Sequence, residues 1–469
     1  MKNARGLRQV LIITVVFFVS RMLVWGLGLH LNPWPLYAYW QYLDLNTLKY
    51  HLIRGVWFDH AQPPAFNLFL GIVLKIGGEQ STLLFAAILK MISLANGLLI
   101  FFILRKLPVA PYFPLITALV YLISPATLIF ENELFYTTTI SFLLLVSVYF
   151  LIRFSLSEKG GNAFGIFCPL TLLCLTRSVY HITWLVILSV SLLIYFRRNR
   201  SLYKLILSSL ISIGLVGGWY VKNKFIFGKF TSSTWVGMNM ARNVFHDNEV
   251  RDSSLIEAYA PFSRIGVYRK FLDPAFEDSY KGLNDADLLM EMKNDSFINE
   301  NEVSYIMVSD LYQKASIQYI RTHPGAYVQN VFQSAILYFT PATVYSLAVE
   351  QSKKIEPYDI LFSLNGTHFA KNKQQRRIWL TLSAFPKLLL YVFVFFILIR
   401  YYIRSRSIPP WNLFIMLTIG FVFGVGSFFE HYENMRFRFE TEPLFLILAA
   451  QVFNMLYAAF QSRRDPRFV

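Results

Sequence analysis

This sequence predicts an all-α membrane protein, a polytopic bundle of about 10–11 spanning helices, and three observations point there. Of its 469 residues, 55% are hydrophobic and only 15% charged, whereas a water-soluble domain carries roughly a quarter charged residues. Apolar runs such as Val10 to Leu29 and Ile206 to Tyr220 approach or reach bilayer length. The 44 Lys and Arg exceed the 28 Asp and Glu by 16, an excess that in such a chain marks cytoplasmic loops and anionic lipid rather than nucleic acid. A soluble globular protein is excluded.

The chain opens with Lys2, Arg5 and Arg8 before an apolar run longer than a signal-peptide core and without a small-residue cleavage site, so it reads as a retained first span at 9–29. Further segments able to cross are 84–104, 112–130, 134–152, 163–177, 179–196, 203–221, 379–399, 411–429 and 441–460. Threading them places Arg105/Lys106, Arg153/Lys159, Arg197/Arg198/Arg200/Lys204, Arg400/Arg404/Arg406 and Arg463/Arg464/Arg467 on the side of the amino terminus. That side is expected to be cytoplasmic, with both termini on it. The acids agree: of fourteen outside residues 222–325, only Glu158 and Asp465 fall on the basic side.

Residues 222–325 hold fourteen acids and twelve bases, a soluble composition within an apolar protein. They are expected to form a small extracytoplasmic helical insertion between a transmembrane region at 1–221 and another at 326–469. The stretch 64–76 is too short to cross, and 326–345 would invert the later topology if it crossed. Both are expected along the outer interface or partly re-entrant. The alternative threading, with 326–345 spanning, strands Arg197 to Lys204 outside. Cys168 and Cys174 share one apolar stretch and suggest neither a disulfide nor a zinc site.

The first outer loop, 30–63, is the densest in chemistry: Asn32-Pro33-Trp34-Pro35, then Tyr37, Tyr39, Trp40, Tyr42, Asp44, Asn46, Tyr50, His51, Trp57, Asp59, His60 and Gln62-Pro63-Pro64. A headgroup belt of aromatics accounts for most of the Trp and Tyr. It accounts less well for an acid some fifteen residues after the first span, followed by an amphipathic stretch and a Pro-Pro that starts another apolar helix.

The pattern Asp44, Tyr50, Gly55, Pro63-Pro64 resembles the GT-C superfamily of membrane glycosyltransferases, in the branch of protein O-mannosyltransferases and of the aminoarabinose transferases that modify lipid A. The resemblance continues through Glu131-Asn132-Glu133 after Ser124-Pro125, Leu175-Thr176-Arg177, His323-Pro324, and Glu433-Asn434-Met435-Arg436-Phe437-Arg438 before Pro443. The chain departs from many relatives in having Asp44-Leu45 where they have Asp-Glu, and in carrying its soluble stretch between spans.

The resemblance implies a polytopic GT-C fold and transfer of a sugar from a polyprenyl-phosphate donor in the bilayer to a hydroxyl of a protein, lipid A or a cell-wall glycan, with inversion. One carboxylate must then take the acceptor proton; the resemblance gives that role to Asp44. Cations must meet the charge developing on the lipid phosphate. Lys90, Arg177, Arg436, Arg438 and Arg21 are the candidates, because charge at such depth is costly. Snorkelling competes as the explanation for Arg21 and Lys90, and a carbonyl clamp for Arg177 beside His181. Glu131, Glu133, Asp59, His60 and Tyr50 are candidates for the acceptor or sugar, although helix-start charge explains the two glutamates as well.

Other signals fail. Asp285-Ala286-Asp287 sits in a helical-looking acidic stretch, and the eight histidines, His246 among them, form no zinc-protease pattern. No P-loop or dinucleotide fingerprint is present, and no cofactor or metal is implied. Asn294-Asp295-Ser296 and Asn365-Gly366-Thr367 are formal glycan acceptors. A transporter or flippase of lipid-linked sugars is the competing class, but no related halves are visible. The expected setting is a bacterial inner membrane, with the active site on its outer face.

Overall fold

The computed structural model describes residues 2–245, 261–294 and 296–464, the first three and last three of these by backbone only. His246, Asp295, Asp465 and Arg467 lie outside the described residues. Almost every ordered segment is helical. In order they are α1 (Lys2–Gly26), α2 (Pro35–Ala38), α3 (Leu45–Tyr50), α4 (Leu52–Phe58), α5 (Pro64–Gly77), α6 (Ser81–Arg105), α7 (Phe113–Ile123), α8 (Pro125–Phe130), α9 (Thr137–Ser157), α10 (Gly160–Cys174), α11 (Ile182–Tyr195) and α12 (Leu202–Phe227). The insertion adds α13 (Val236–Phe245), α14 (Pro274–Asp278), α15 (Asp285–Leu288) and α16 (Tyr305–Thr322). The remainder is α17 (Pro324–Phe339), α18 (Val349–Lys354), α19 (Glu356–Ser363), α20 (Lys373–Ser405), α21 (Pro410–Phe429) and α22 (Asn434–Arg464).

Among the described residues, seven helical stretches are long and apolar enough to cross a bilayer, and α7, α10 and α11 are shorter apolar helices. Each of the ten spans read from the sequence coincides with one of these. The chain is an integral membrane protein with a polytopic helical fold. The expected span 112–130 is broken at Ser124-Pro125. Proline holds the preceding residue extended, and Ser124 then caps α8 by accepting the Thr127 amide at 3.2 Å. The expected span 179–196 is likewise shortened at its start, because His181 caps α11 through the Thr183 amide, and the span 163–177 is shifted to Gly160–Cys174.

Contacts sort the helix ends into two sets. Gln9 Nε2 donates to the Pro111 carbonyl at 3.0 Å, and the Ala110 amide donates to Asn454 at 2.8 Å. The start of α1, the turn after α6 and the late part of α22 therefore share one end, which is rich in Lys and Arg. At the opposite end the Asn32 amide donates to the Asn132 carbonyl at 2.8 Å, and Gln351 Nε2 to the His30 carbonyl at 3.0 Å. α17 starts beside the end of α21, where Tyr327 Oη donates to the Phe428 carbonyl. It runs into residues 342–363, which are tied to the end of α1. Both of its ends thus lie at the same end of the bundle.

The insertion folds around Trp235, Met238, Tyr268, Tyr305, Val308 and Tyr312, which close over Ala61 of the first loop. A second small core joins Phe227 to Tyr280, Leu288, Val303 and Ile306. Its only sheet among the described residues pairs Met292–Lys293 with Phe297–Ile298, antiparallel. Gly237 lets α13 approach α16 so closely that a Cβ there would overlap the Ser309 carbonyl oxygen. This tight crossing fixes where the loop-facing side of α13 stands.

Candidate functional site

α22 organises the polar interior. Its opening sequence puts Glu433, Arg436, Phe437 and Glu440 on one face, and Arg438 and Glu442 on another, as three- and four-residue spacing requires. On the first face, Arg177 lies 3.7 Å from Glu433 and pairs with Glu440, its guanidinium 3.9 Å above the Phe437 ring. Arg436 pairs with Glu433, stands 3.8 Å from Glu440 and lies 4.4 Å over Phe135. Two cations and two anions are thus buried together, the arrangement that makes buried charge tolerable. Burial alone would raise the Glu433 carboxyl, but the Arg436, Arg242 and Arg177 charges outweigh it and hold it below the ordinary range.

This face borders two cavities. The first, a narrow cleft of about 30 Å³, is walled by Gln41, Gln62, Arg177, Asn239, Glu430 and Phe437, together with Trp40, Arg242 and Glu433. The second, about 270 Å³, is lined by those last three residues as well, with Trp34, Tyr345, Tyr432 and Glu300. Trp40, Arg242 and Glu433 therefore form a shared wall. Arg242 Nη1 lies 3.3 Å from Glu430, with the guanidinium 5.1 Å over Trp40. Burial pushes Glu430 up, and Arg242 pulls it partly back. A third cavity of about 220 Å³ lies on the other face of α22, mostly apolar, with Lys387, Arg438 and Glu442. Arg438 pairs with Glu442, which is 3.2 Å from Lys387.

The residues singled out from the sequence separate into distinct places. Asp44 is half-buried and caps α3, accepting the Asn46 amide at 2.8 Å, and it is in the wall of none of these three cavities. Arg21 and Glu131 are buried and bonded to each other, and Lys90 donates to Asn132 Oδ1 at 3.1 Å. Arg21 spends its N–H groups on Glu131, Ser20, Ser93 and the Leu122 carbonyl, and Glu131 accepts two of them. Glu133 accepts from Asn32 Nδ2 at 3.0 Å, and burial raises its carboxyl to about 8.

Asp59 accepts from the Ala61 and Gln62 amides and from Asn67; burial raises it to about 7 despite those donors. His60 lies between Thr234 Oγ1 at 2.7 Å and the Asn301 carbonyl at 3.0 Å, with burial lowering it to about 3. His60 ties the loop to the insertion and Asp59 braces the loop against α5; neither lines one of these cavities. Tyr50 is 72% exposed on α3. Of the sequence candidates, Arg177 alone lines the first cavity and Arg438 alone the third, while Arg436 braces Glu433 from behind.

Residues that the sequence reading passed over are Glu430, Arg242 and Lys387. Lys387 lies inside the expected span 379–399, so the cost of intramembrane charge was signal enough. Glu430 stands three residues before the quoted Glu433 motif. Arg242 sits in soluble-looking sequence and had no signal. Asn365 is buried and donates to Asp359 at 2.7 Å, which removes it as a glycan acceptor.

No family model matches this sequence, and no curated protein does. Among solved structures, it is similar to the S. cerevisiae protein O-mannosyltransferase Pmt1-Pmt2 complex bound to the sugar donor, at 13% identity and a TM-score of 0.32. The match covers 51% of this chain and 37% of that one. A likeness of that size carries no argument about family or activity.

Proposed function

We propose that this protein is an integral membrane glycosyltransferase that moves a sugar from a polyprenyl-phosphate donor to a hydroxyl acceptor, with inversion. The observation that carries the reading is the first cavity, where two cations, two carboxylates, amides and two indoles meet at one end of a membrane bundle. Arg177 and Arg242 are placed to meet the charge of a lipid phosphate. Gln41, Gln62 and Asn239 suit sugar hydroxyls. Phe428 and Phe429, half exposed beside Glu430, offer the isoprenoid chain a membrane-facing surface.

Glu433 serves as the base because it borders both cavities, so an acceptor on one side and an anomeric carbon on the other both reach it. As the acceptor oxygen bonds to that carbon, the carbon–oxygen bond to phosphate breaks and its electron pair leaves on the lipid phosphate. The hydroxyl proton passes to Glu433. A carboxylate of lowered pKa suffices, since the hydroxyl becomes strongly acidic once its oxygen is bonded to the anomeric carbon. The basic end of the bundle faces the cytoplasm in this reading, and the cavities face outward across a bacterial inner membrane.

Transfer by purified protein in bilayer discs tests it. Glu433→Gln is expected to lower transfer by about a hundredfold or more, with thermal stability followed in parallel. Asp44→Asn is the second arm: a loss confined to Asp44 would return the base to the loop, as the sequence resemblance implies. The third cavity favours one other reading, a carrier of lipid-linked sugars, because an apolar hollow with two cations suits a lipid phosphate. Lipid movement between leaflets that persists without any transfer would decide for it.

A further inference from the structure

We infer that the second cavity is the acceptor site and that the acceptor it takes is a saccharide. The inference rests on the transfer reading above and adds the substrate class. The cavity measures about 270 Å³, close to the lower end of the range of small-molecule sites. Trp34, Trp40, Tyr345 and Tyr432 supply aromatic surface, while Arg242, Glu300 and Glu433 supply charge. A pyranose has a flat face of C–H groups and a rim of hydroxyls, so it needs both kinds of wall: rings to cover the face, and ionised groups to bond the rim.

Two groups in this wall lack hydrogen-bond partners among the described residues. Trp40 Nε1 is a buried donor, and Glu300 Oε2 a buried acceptor with Lys293 at 3.6 Å. Buried polar atoms are ordinarily satisfied; neither atom is open to the cavity here, so each meets a sugar hydroxyl only once its side chain turns outward. Trp34 is half exposed and braced edge-on by Phe297, whose ring is 6.1 Å away at 85°. That contact holds the indole while leaving ring surface toward the mouth.

Other acceptors fit less well. A peptide that adds as a β-strand finds no edge here, since the two-residue strands do not line the cavity. A lipid chain needs a continuous apolar wall, which the charged groups interrupt. A saccharide hydroxyl in this cavity reaches Glu433 from the side opposite the first cavity. That is the approach an in-line, inverting displacement needs: the new bond from acceptor oxygen to anomeric carbon forms as the bond to phosphate breaks, and the proton goes to Glu433.

The test measures polyprenyl phosphate released by the full chain in bilayer discs from donors carrying glucose, mannose or aminoarabinose. Release is compared without acceptor, with methyl α-glucoside, methyl α-mannoside or chitobiose, and with a Ser/Thr-rich peptide. At least one saccharide is expected to raise release about tenfold over the acceptor-free rate, and Trp34→Ala to raise the KM for that saccharide about tenfold with a smaller change in kcat. Stimulation by the peptide and by no saccharide overturns the inference, as does acceptor-free release that no saccharide raises; in both cases donor turnover still supports glycosyl transfer. Saccharide quenching of tryptophan fluorescence that Trp34→Ala abolishes, with no donor turnover under any condition, keeps the saccharide site and overturns the transferase reading. Neither turnover nor quenching overturns both.

Discussion

Arg21 of α1 and Glu131 after α8 are locked together by two hydrogen bonds, Nε to Oε1 at 2.8 Å and Nη2 to Oε2 at 2.7 Å, although 110 residues separate them in sequence. Arg21 also donates to the Leu122 carbonyl at 2.9 Å, and its guanidinium lies 4.1 Å over Phe17. The pair thus ties the first helix to the break between α7 and α8. Removing one partner leaves the other as an uncompensated buried charge, so Arg21→Ala and Glu131→Ala should each cost about 3–5 kcal/mol. The double change Arg21→Met with Glu131→Leu should recover much of that loss. Thermal unfolding of the two singles and the double gives the coupling, and additive losses would show that the pair is not what holds these helices.

Glu133, two residues on, gives stability a pH dependence of definite sign. Burial raises its carboxyl from 4.5 to about 8, so between those values the folded chain holds a proton that the unfolded chain releases. Stability must then fall as pH rises through that window, by at most about 1.4 kcal/mol per unit from this group. The melting temperature is expected to drop between pH 5 and pH 8, and Glu133→Gln to shrink the drop. An unchanged drop in the variant would assign it to other groups, Asp59 and Glu302 first, since burial raises both to about 7.

The helical fold was legible because bilayer-length apolar runs and one-sided basic turns are local features of a sequence. The places where helices break were legible only in part. Ser124-Pro125 stands inside the apolar run 112–130, whose composition is that of one span, although a proline there removes an amide and holds Ser124 extended. The site was harder. Arg177 and the Glu433 to Arg438 segment were visible as charge beside apolar helices, but their mutual pairing joins positions over 250 residues apart, and nothing local encodes it. Asp44 illustrates the converse: its selection rests on the family resemblance alone, and its contact in the structure is the local one of capping α3.

Gly237 links the insertion to the cavity. Any side chain there meets the Ser309 carbonyl, a backbone atom that cannot rotate away. Overpacking of this kind costs about 1–3 kcal/mol. Gly237→Ala should therefore push α13 off α16 and carry Trp235, Asn239 and Arg242 with it, all of which line the first cavity. Transfer is expected to fall further than the melting temperature alone explains. A variant that is destabilised but fully active at low temperature would mean that the cavity tolerates movement of α13.

Arg242 is the residue through which binding and proton transfer are coupled. It pairs with Glu430, lies over Trp40, and contributes to holding Glu433 below the ordinary carboxylate range. A base must be ionised to act, so transfer should persist on acidification until the pH falls through the lowered value for Glu433. Arg242→Ala removes one of the three charges responsible, which raises that value and moves the acid limb of kcat to higher pH. The same change should raise the donor KM roughly tenfold, the worth of a charge-assisted hydrogen bond of about 1.5 kcal/mol. Arg242→Lys keeps the charge but not the planar fork that meets a phosphate at two points. It should therefore leave the acid limb near its original place while the donor KM stays high. A lysine variant that restores both quantities would show that a point charge is enough, and one that restores neither would place the importance of Arg242 in its contact with Trp40.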